Sequence, residues 1–205
     1  MITIYNFWRG IRGVRVAWQC EEMGLAYQAV GFDFPAPAEH RAKYPPGSLP
    51  FLEDEGGVAI GESVAQMLYL AGRYGPTPLL PTDPAAMARV LQITVASEAS
   101  LGGLMNPMMG TKFAAPDDQK SNWTDGFCAA RVTDALAYAD SLLRGRDYFV
   151  GDGLTLADIA ISTALGVWQG ALGKDIPAGL AEHRARMRGR PAYQKAAAAF
   201  QASQG

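Results

Sequence analysis

The chain has 205 residues, 49% apolar and 19% charged, with a formal net charge of −2. That is enough polypeptide for one large domain or two small ones with a sizeable core. There is no basic excess of the kind that marks nucleic-acid binding, and no apolar run of the roughly 18–20 residues that cross a bilayer.

The N-terminus, Met1-Ile2-Thr3-Ile4-Tyr5, reads as a strand and not as a signal peptide. A helix is expected from about Gly13 to Met23. In it Val16, Cys20 and Met23 share one face, and Arg15, Gln19 and Glu22 share a polar one. Gly24 follows as a C-cap. A strand over 27–32 comes next, then a Pro-rich stretch at 35–46. Pro50 stands before a strand-like run, Phe51-Leu52-Glu53. Glu55-Gly56-Gly57 makes a tight hairpin into Val58-Ala59-Ile60. Glu62-Ser63 then opens a helix over 63–74, with Val64, Met67, Leu68 and Ala71 at helical spacing.

Residues 75–84 hold four prolines and form a linker, since neither a helix nor a central strand tolerates them. Beyond it only helices are expected. The first runs from Pro84 to about Phe113, bent near Gly102-Gly103 and Pro107. Others run from about Gln119 to Leu143 and from Thr155 to before Gly173, with short ones near 177–188 and 191–202. Trp123 and Trp168 are expected in the bundle core. Thr155-Leu156-Ala157-Asp158 has the spacing of a capping box, staple residues Leu154 and Ile159 flanking it. Cys20 and Cys128 make no disulfide framework, so a reducing cytoplasm is the expected setting. His40 and His183 have no neighbouring cysteine or histidine, and no metal site is expected.

The order of these elements, with Glu21-Glu22-Met23-Gly24-Leu25, Leu49-Pro50, Glu62-Ser63 and Leu154 to Asp158, resembles the cytosolic glutathione S-transferases of the bacterial theta/nu-like kind over the whole chain. The resemblance implies a two-domain α+β/α fold. A thioredoxin-like domain would span 1–75, a linker 76–84, and an all-helical C-terminal bundle 85–205. It further implies a cytoplasmic homodimer that uses glutathione as co-substrate, without metal, in detoxification chemistry on a small hydrophobic electrophile. Leu49-Pro50 would be a cis-proline turn pairing with the cysteinyl backbone of glutathione; a plain strand-entry proline is the other reading. Ser63 and the helix amides would take the γ-glutamyl carboxylate and Glu62 its ammonium, unless the pair is a simple helix cap. Arg9 is a further glutathione-binding candidate.

The chemistry requires a thiolate, and the free thiol has a pKa of about 8.5. The family supplies a Tyr at the end of strand 1, or a Ser or Cys at the mouth of helix 1. Here Asn6 occupies the Tyr position, and Gly10, Ile11 or Arg12 the other. Cys20 faces the core. Arg12, Asn6 and Tyr5 are therefore the catalytic candidates, Arg12 first, because a guanidinium at a helix N-terminus favours an anion. The second substrate would meet Phe7, Trp8, Met105, Met108, Met109, Lys112 and Phe113, a Met- and aromatic-rich set that serves equally as helix core. A glutathione-dependent reductase, lyase or isomerase, or a non-catalytic glutathione-binding protein, are the alternatives.

Overall fold

The computed structural model describes residues 1–33 and 35–202. Residues 203–205, the end of the expected helical domain, lie outside them. Two compact units are present, one of Met1–Leu80 with the C-terminal stretch from Arg188, the other of Pro81–Met187.

The first unit is built on four strands, β1 (Ile2–Phe7), β2 (Tyr27–Phe32), β3 (Phe51–Asp54) and β4 (Val58–Ile60), in the order β2-β1-β3-β4. β1 runs parallel to β2 and antiparallel to β3, and β3 turns back antiparallel to β4. Strand alternation sends Ile2, Ile4 and Asn6 to the buried face and Thr3, Tyr5 and Phe7 to the other. Between β1 and β2 lies α1 (Ile11–Met23). It stops at Gly24 with φ 67°, whose N–H bonds Glu21 O at 3.2 Å while Leu25 N–H bonds Cys20 O at 2.9 Å. A short helix, α2 (Ala38–Lys43), interrupts the Pro-rich stretch. The β3–β4 connection is a tight turn in which Gly56 and Gly57 have φ of 77° and 79°, a conformation that favours glycine. α3 (Ser63–Arg73) completes the family of elements expected before the linker.

Two details of the amphipathic reading change. Arg15 and Gln19 are buried, 1% and 0% exposed, although they sit on the face expected to be polar and solvated. The reason is that α1 is covered on both sides, by the sheet and α3 and also by α9 (Pro191–Ala202). Trp18 meets the Tyr193 ring edge-on at 5.2 Å. Arg190 grips the Glu22 carboxylate with two bonds of 2.7 and 2.8 Å. The last helix thus belongs to the first unit. In α3 the buried stripe is Ser63, Gln66, Met67, Leu70 and Ala71, so Val64 and Leu68 lie at its margin.

The second unit contains α4 (Pro84–Ala96), α5 (Gly103–Ala114), α6 (Trp123–Leu142), α7 (Leu156–Gly166) and α8 (Ala178–Arg188). Pro84 occupies the first turn of α4, where its missing N–H costs nothing, and Asp83 caps it through Ala86 N–H at 2.8 Å. The expected bend near Gly102-Gly103 is a π-helical turn over Ser97–Gly102, and Pro107 lies inside α5. Every residue of α7 is buried, which makes it the central helix of this unit. Its capping box forms: the Thr155 side chain accepts from the Asp158 N–H and the Asp158 carboxylate from Thr155 N–H at 2.9 Å, and the Thr155 hydroxyl also donates to Asp158 at 2.8 Å. Leu154 and Ile159 are both buried, as the staple requires. Trp168 is core, with its indole N–H on Asp175 O at 2.8 Å. Trp123 is not: it is 78% exposed and stacks on Phe127 at 5.2 Å, because it stands in the first turn of α6 on the face away from Cys128 and Val132. No helix among the described residues is long and apolar enough to cross a membrane.

Candidate functional site

The start of α3 and the turn before β3 are held together by one side chain. Gln66 is fully buried, and its amide nitrogen donates to Pro50 O and to Ile60 O, both at 2.9 Å. The Leu49-Pro50 bond is cis, with Leu49 half-buried and Pro50 buried. Glu62 precedes α3 with φ 60° and ψ 107°, the left-handed region that a side chain seldom adopts, and its own side chain does not cap the helix. The backbone thereby delivers Ser63, only 3% exposed, to the first position of α3 with the early amides of the helix turned outward. Glu62 itself is exposed. The arrangement suits an anion at the helix end with a cationic group beside Glu62.

The β1–α1 turn is organised by Asn6. Its side-chain nitrogen donates to Gly10 O at 2.5 Å, and the residue is 1% exposed. Asn6 therefore orders the turn from beneath; its amide is not aimed outward as a thiol partner. Gly10 acts as N-cap of α1 without a side-chain cap bond, and no acidic residue lies in the first turn. Arg12 is half-buried in that turn. Arg9 is exposed, its guanidinium lying 4.0 Å over the Trp8 ring. Tyr5 points to the opposite face of the sheet from Asn6. Its hydroxyl donates to Glu53 at 2.6 Å, and burial together with that bond pushes its pKa up to about 12. Tyr5 is thus removed from the thiol-activating set by the alternation of β1.

The residues expected against a second substrate divide between the units. In the first, Phe7 and Trp8 are half-buried, and Trp8 donates to Asp33 at 2.7 Å. In the second, Met105 and Met108 are each 1% exposed and belong to the core; their spacing on α5 places them inward. Met109 is half-buried and Phe113 exposed. The Lys112 ammonium donates to Ala171 O at 2.8 Å and lies 5.5 Å from the Phe113 ring.

Two residues of the site escaped the sequence reading. Gln66 is one polar position inside the apolar stripe of α3, and that interruption is the signal. Arg15 is fully buried on α1, and its Nη1 donates to Ser63 Oγ at 3.3 Å. Arg15 and Gln19 are the polar positions in the buried run Gly13–Cys20 of α1, and they carry the same signal.

Residues 1–72 match the family model of the glutathione S-transferase N-terminal domain, and residues 103–195 that of its C-terminal domain. A glutathione S-transferase-like protein, LUC7, from Fusarium is 34% identical over 62% of this chain, a stretch spanning 58% of that protein. A maleylacetoacetate isomerase from Rhizobium meliloti is 35% identical, covering 78% of both chains. The crystal structure of a theta class glutathione S-transferase from Xanthomonas axonopodis pv. citri, with glutathione bound, superposes with a TM-score of 0.77 at 26% identity over 96% of each chain. Sequence, sheet topology and helical second unit agree, and the chain belongs to the glutathione S-transferase family.

Proposed function

We propose that this chain is a glutathione transferase. It binds glutathione through the Leu49-Pro50 turn and the Glu62-Ser63 helix start, and conjugates the sulfur to a small hydrophobic electrophile. The observation that carries the reading is the Ser63 site: a nearly buried hydroxyl at the N-terminus of α3, presented by a residue with positive φ and tied by Gln66 to the cis-proline turn. The turn's backbone would pair with the cysteinyl segment, the α3 amides and Ser63 with the γ-glutamyl carboxylate, and Glu62 with its ammonium. Arg12 and the uncapped amides of α1 would hold the sulfur as a thiolate, with Arg9 near the same end of α1. The thiolate attacks the electrophilic carbon, forming the S–C bond; a leaving group departs with the electron pair, or the adduct takes a proton from water. Phe7 and Trp8 offer apolar surface in the first unit. A homodimer in the cytoplasm is the expected form of the molecule.

The test is a titration of glutathione followed by ultraviolet thiolate absorbance. Bound glutathione is expected to be ionised at neutral pH, and Arg12→Ala to raise the pKa of the bound thiol. A bound thiol that stays protonated at neutral pH would sink the transferase reading. The relative named maleylacetoacetate isomerase supports a second reading, in which the thiolate adds to a double bond and leaves again after rotation. Glutathione is then not consumed, so its concentration during turnover separates the two.

A further inference from the structure

We propose that Arg15 is a positioning residue that turns Ser63 into an obligate donor toward the γ-glutamyl carboxylate, an inference that rests on the glutathione-binding reading above. Arg15 is 1% exposed and comes from the middle of α1, far from the turn in sequence, yet its Nη1 lies 3.3 Å from Ser63 Oγ. A guanidinium has only donors. In this contact Ser63 Oγ must accept, so its own proton is free to point elsewhere. Ser63 stands at the first position of α3, where the outward amides favour an anion. The hydroxyl proton aimed the same way completes the set of donors. A hydroxyl that accepts from a buried cation also donates more strongly, because polarisation along the chain of hydrogen bonds is cooperative. Without Arg15, the Ser63 hydroxyl is free to rotate and to donate back into the protein. Recognition of the carboxylate would then lose its direction while the rest of the glutathione site stayed in place.

The experiment measures, by calorimetry on the full chain, the affinity for glutathione and for 4-aminobutanoyl-cysteinyl-glycine, which lacks only the γ-glutamyl α-carboxylate. Arg15→Met is expected to weaken glutathione about tenfold, the worth of one hydrogen bond to a charged group. It should leave the affinity for the analogue unchanged, and cost nothing further when introduced into Ser63→Ala. Equal losses for the two ligands, or a loss that adds fully to that of Ser63→Ala, would show a merely structural arginine and overturn the proposal. Should Arg15→Met fail to fold, Arg15→Lys decides. Lysine keeps the charge and donor, so glutathione affinity should fall between wild type and Ser63→Ala with the analogue again unaffected; parallel losses for both ligands count against it. Wild-type protein that binds no glutathione sinks both this inference and the function it rests on, whereas binding without the carboxylate-specific effect sinks this inference alone.

Discussion

A methyl group added at Gly13 would collide with the Asn6 side chain, and one added at Gly10 would come within 2.7 Å of its Oδ1. The β1–α1 turn is therefore a small jigsaw of two glycines over one buried amide, and that packing sets the direction in which α1 leaves the sheet. Gly13→Ala places a side chain against backbone-proximal atoms that cannot retreat, since Asn6 is fixed by its bond to Gly10 O. Overpacking of this kind costs about 1–3 kcal/mol. A urea unfolding series should show that loss, with the bound-glutathione thiol pKa disturbed as well, because Arg12 shares the turn. A Gly13→Ala protein as stable as wild type would mean that the turn relaxes freely. At the same scale Ser63→Ala removes a hydroxyl whose only protein partner in the described residues is Arg15. Glutathione affinity should fall about tenfold, as for one hydrogen bond to a carboxylate, and the urea midpoint should fall by the equivalent of about 1–3 kcal/mol, because the buried Arg15 donor loses its acceptor.

Helix α7 depends on one carboxylate. Asp158 is fully buried, and besides the two Thr155 donors it accepts Phe149 N–H at 3.0 Å and His183 Nε2 at 2.9 Å. His183, also fully buried, lies edge-on to Phe149 at 5.0 Å, so α8 and the segment before α7 are pinned to the same oxygen. Cap loss alone would cost on the order of 1 kcal/mol. Asp158→Ala strips several buried donors at once, each worth about 1–3 kcal/mol when left unsatisfied. The second unit should lose at least about 3 kcal/mol by the same count, read as loss of cooperative unfolding monitored at the buried Trp168. A loss no larger than that of an ordinary cap would show that water replaces the carboxylate. This element also marks what the sequence made legible. The Thr-x-x-Asp spacing, the Pro50 and Glu62-Ser63 positions, the linker prolines and the Gly102-Gly103 bend are local signals, and each local structure follows. The partners His183 and Phe149 come from distant parts of the chain, and nothing in the local pattern points to them. The same holds for Arg15 on Ser63. Met105 and Met108 were ambiguous for a different reason: a methionine at helical spacing has the same pattern whether it fills a core or lines a pocket.

The first unit is closed by the far end of the chain. α9 covers α1, and the contact centres on Glu22, which is reached by Arg190, just before α9, and by the Trp18 indole N–H at 2.8 Å. Lys195 adds a more exposed pair with Glu21 at 2.8 Å, which contributes little in water. Burial disfavours the charged form of Glu22, but the bonds from Arg190 and Trp18 outweigh it and hold the carboxyl below its ordinary 4.5. A carboxyl whose pKa is lower in the folded state than in the unfolded one stabilises the fold once the unfolded group is ionised. That contribution is complete above the ordinary glutamate range and is lost as pH falls through the lowered folded value. Protonated Glu22 can no longer hold Arg190 with two charged bonds, so acid should loosen α9 from α1 before the sheet itself opens. Glu22→Gln is expected to cost about 1–3 kcal/mol at neutral pH, as for a charged hydrogen bond left half made, and to cost progressively less toward acid, where wild type has lost the same interaction. The measurement is the urea midpoint of both proteins from neutral to acid pH, with fluorescence of the buried Trp18 as reporter of α9. A difference between the proteins that stays constant across that range would mean that Glu22 acts through packing alone.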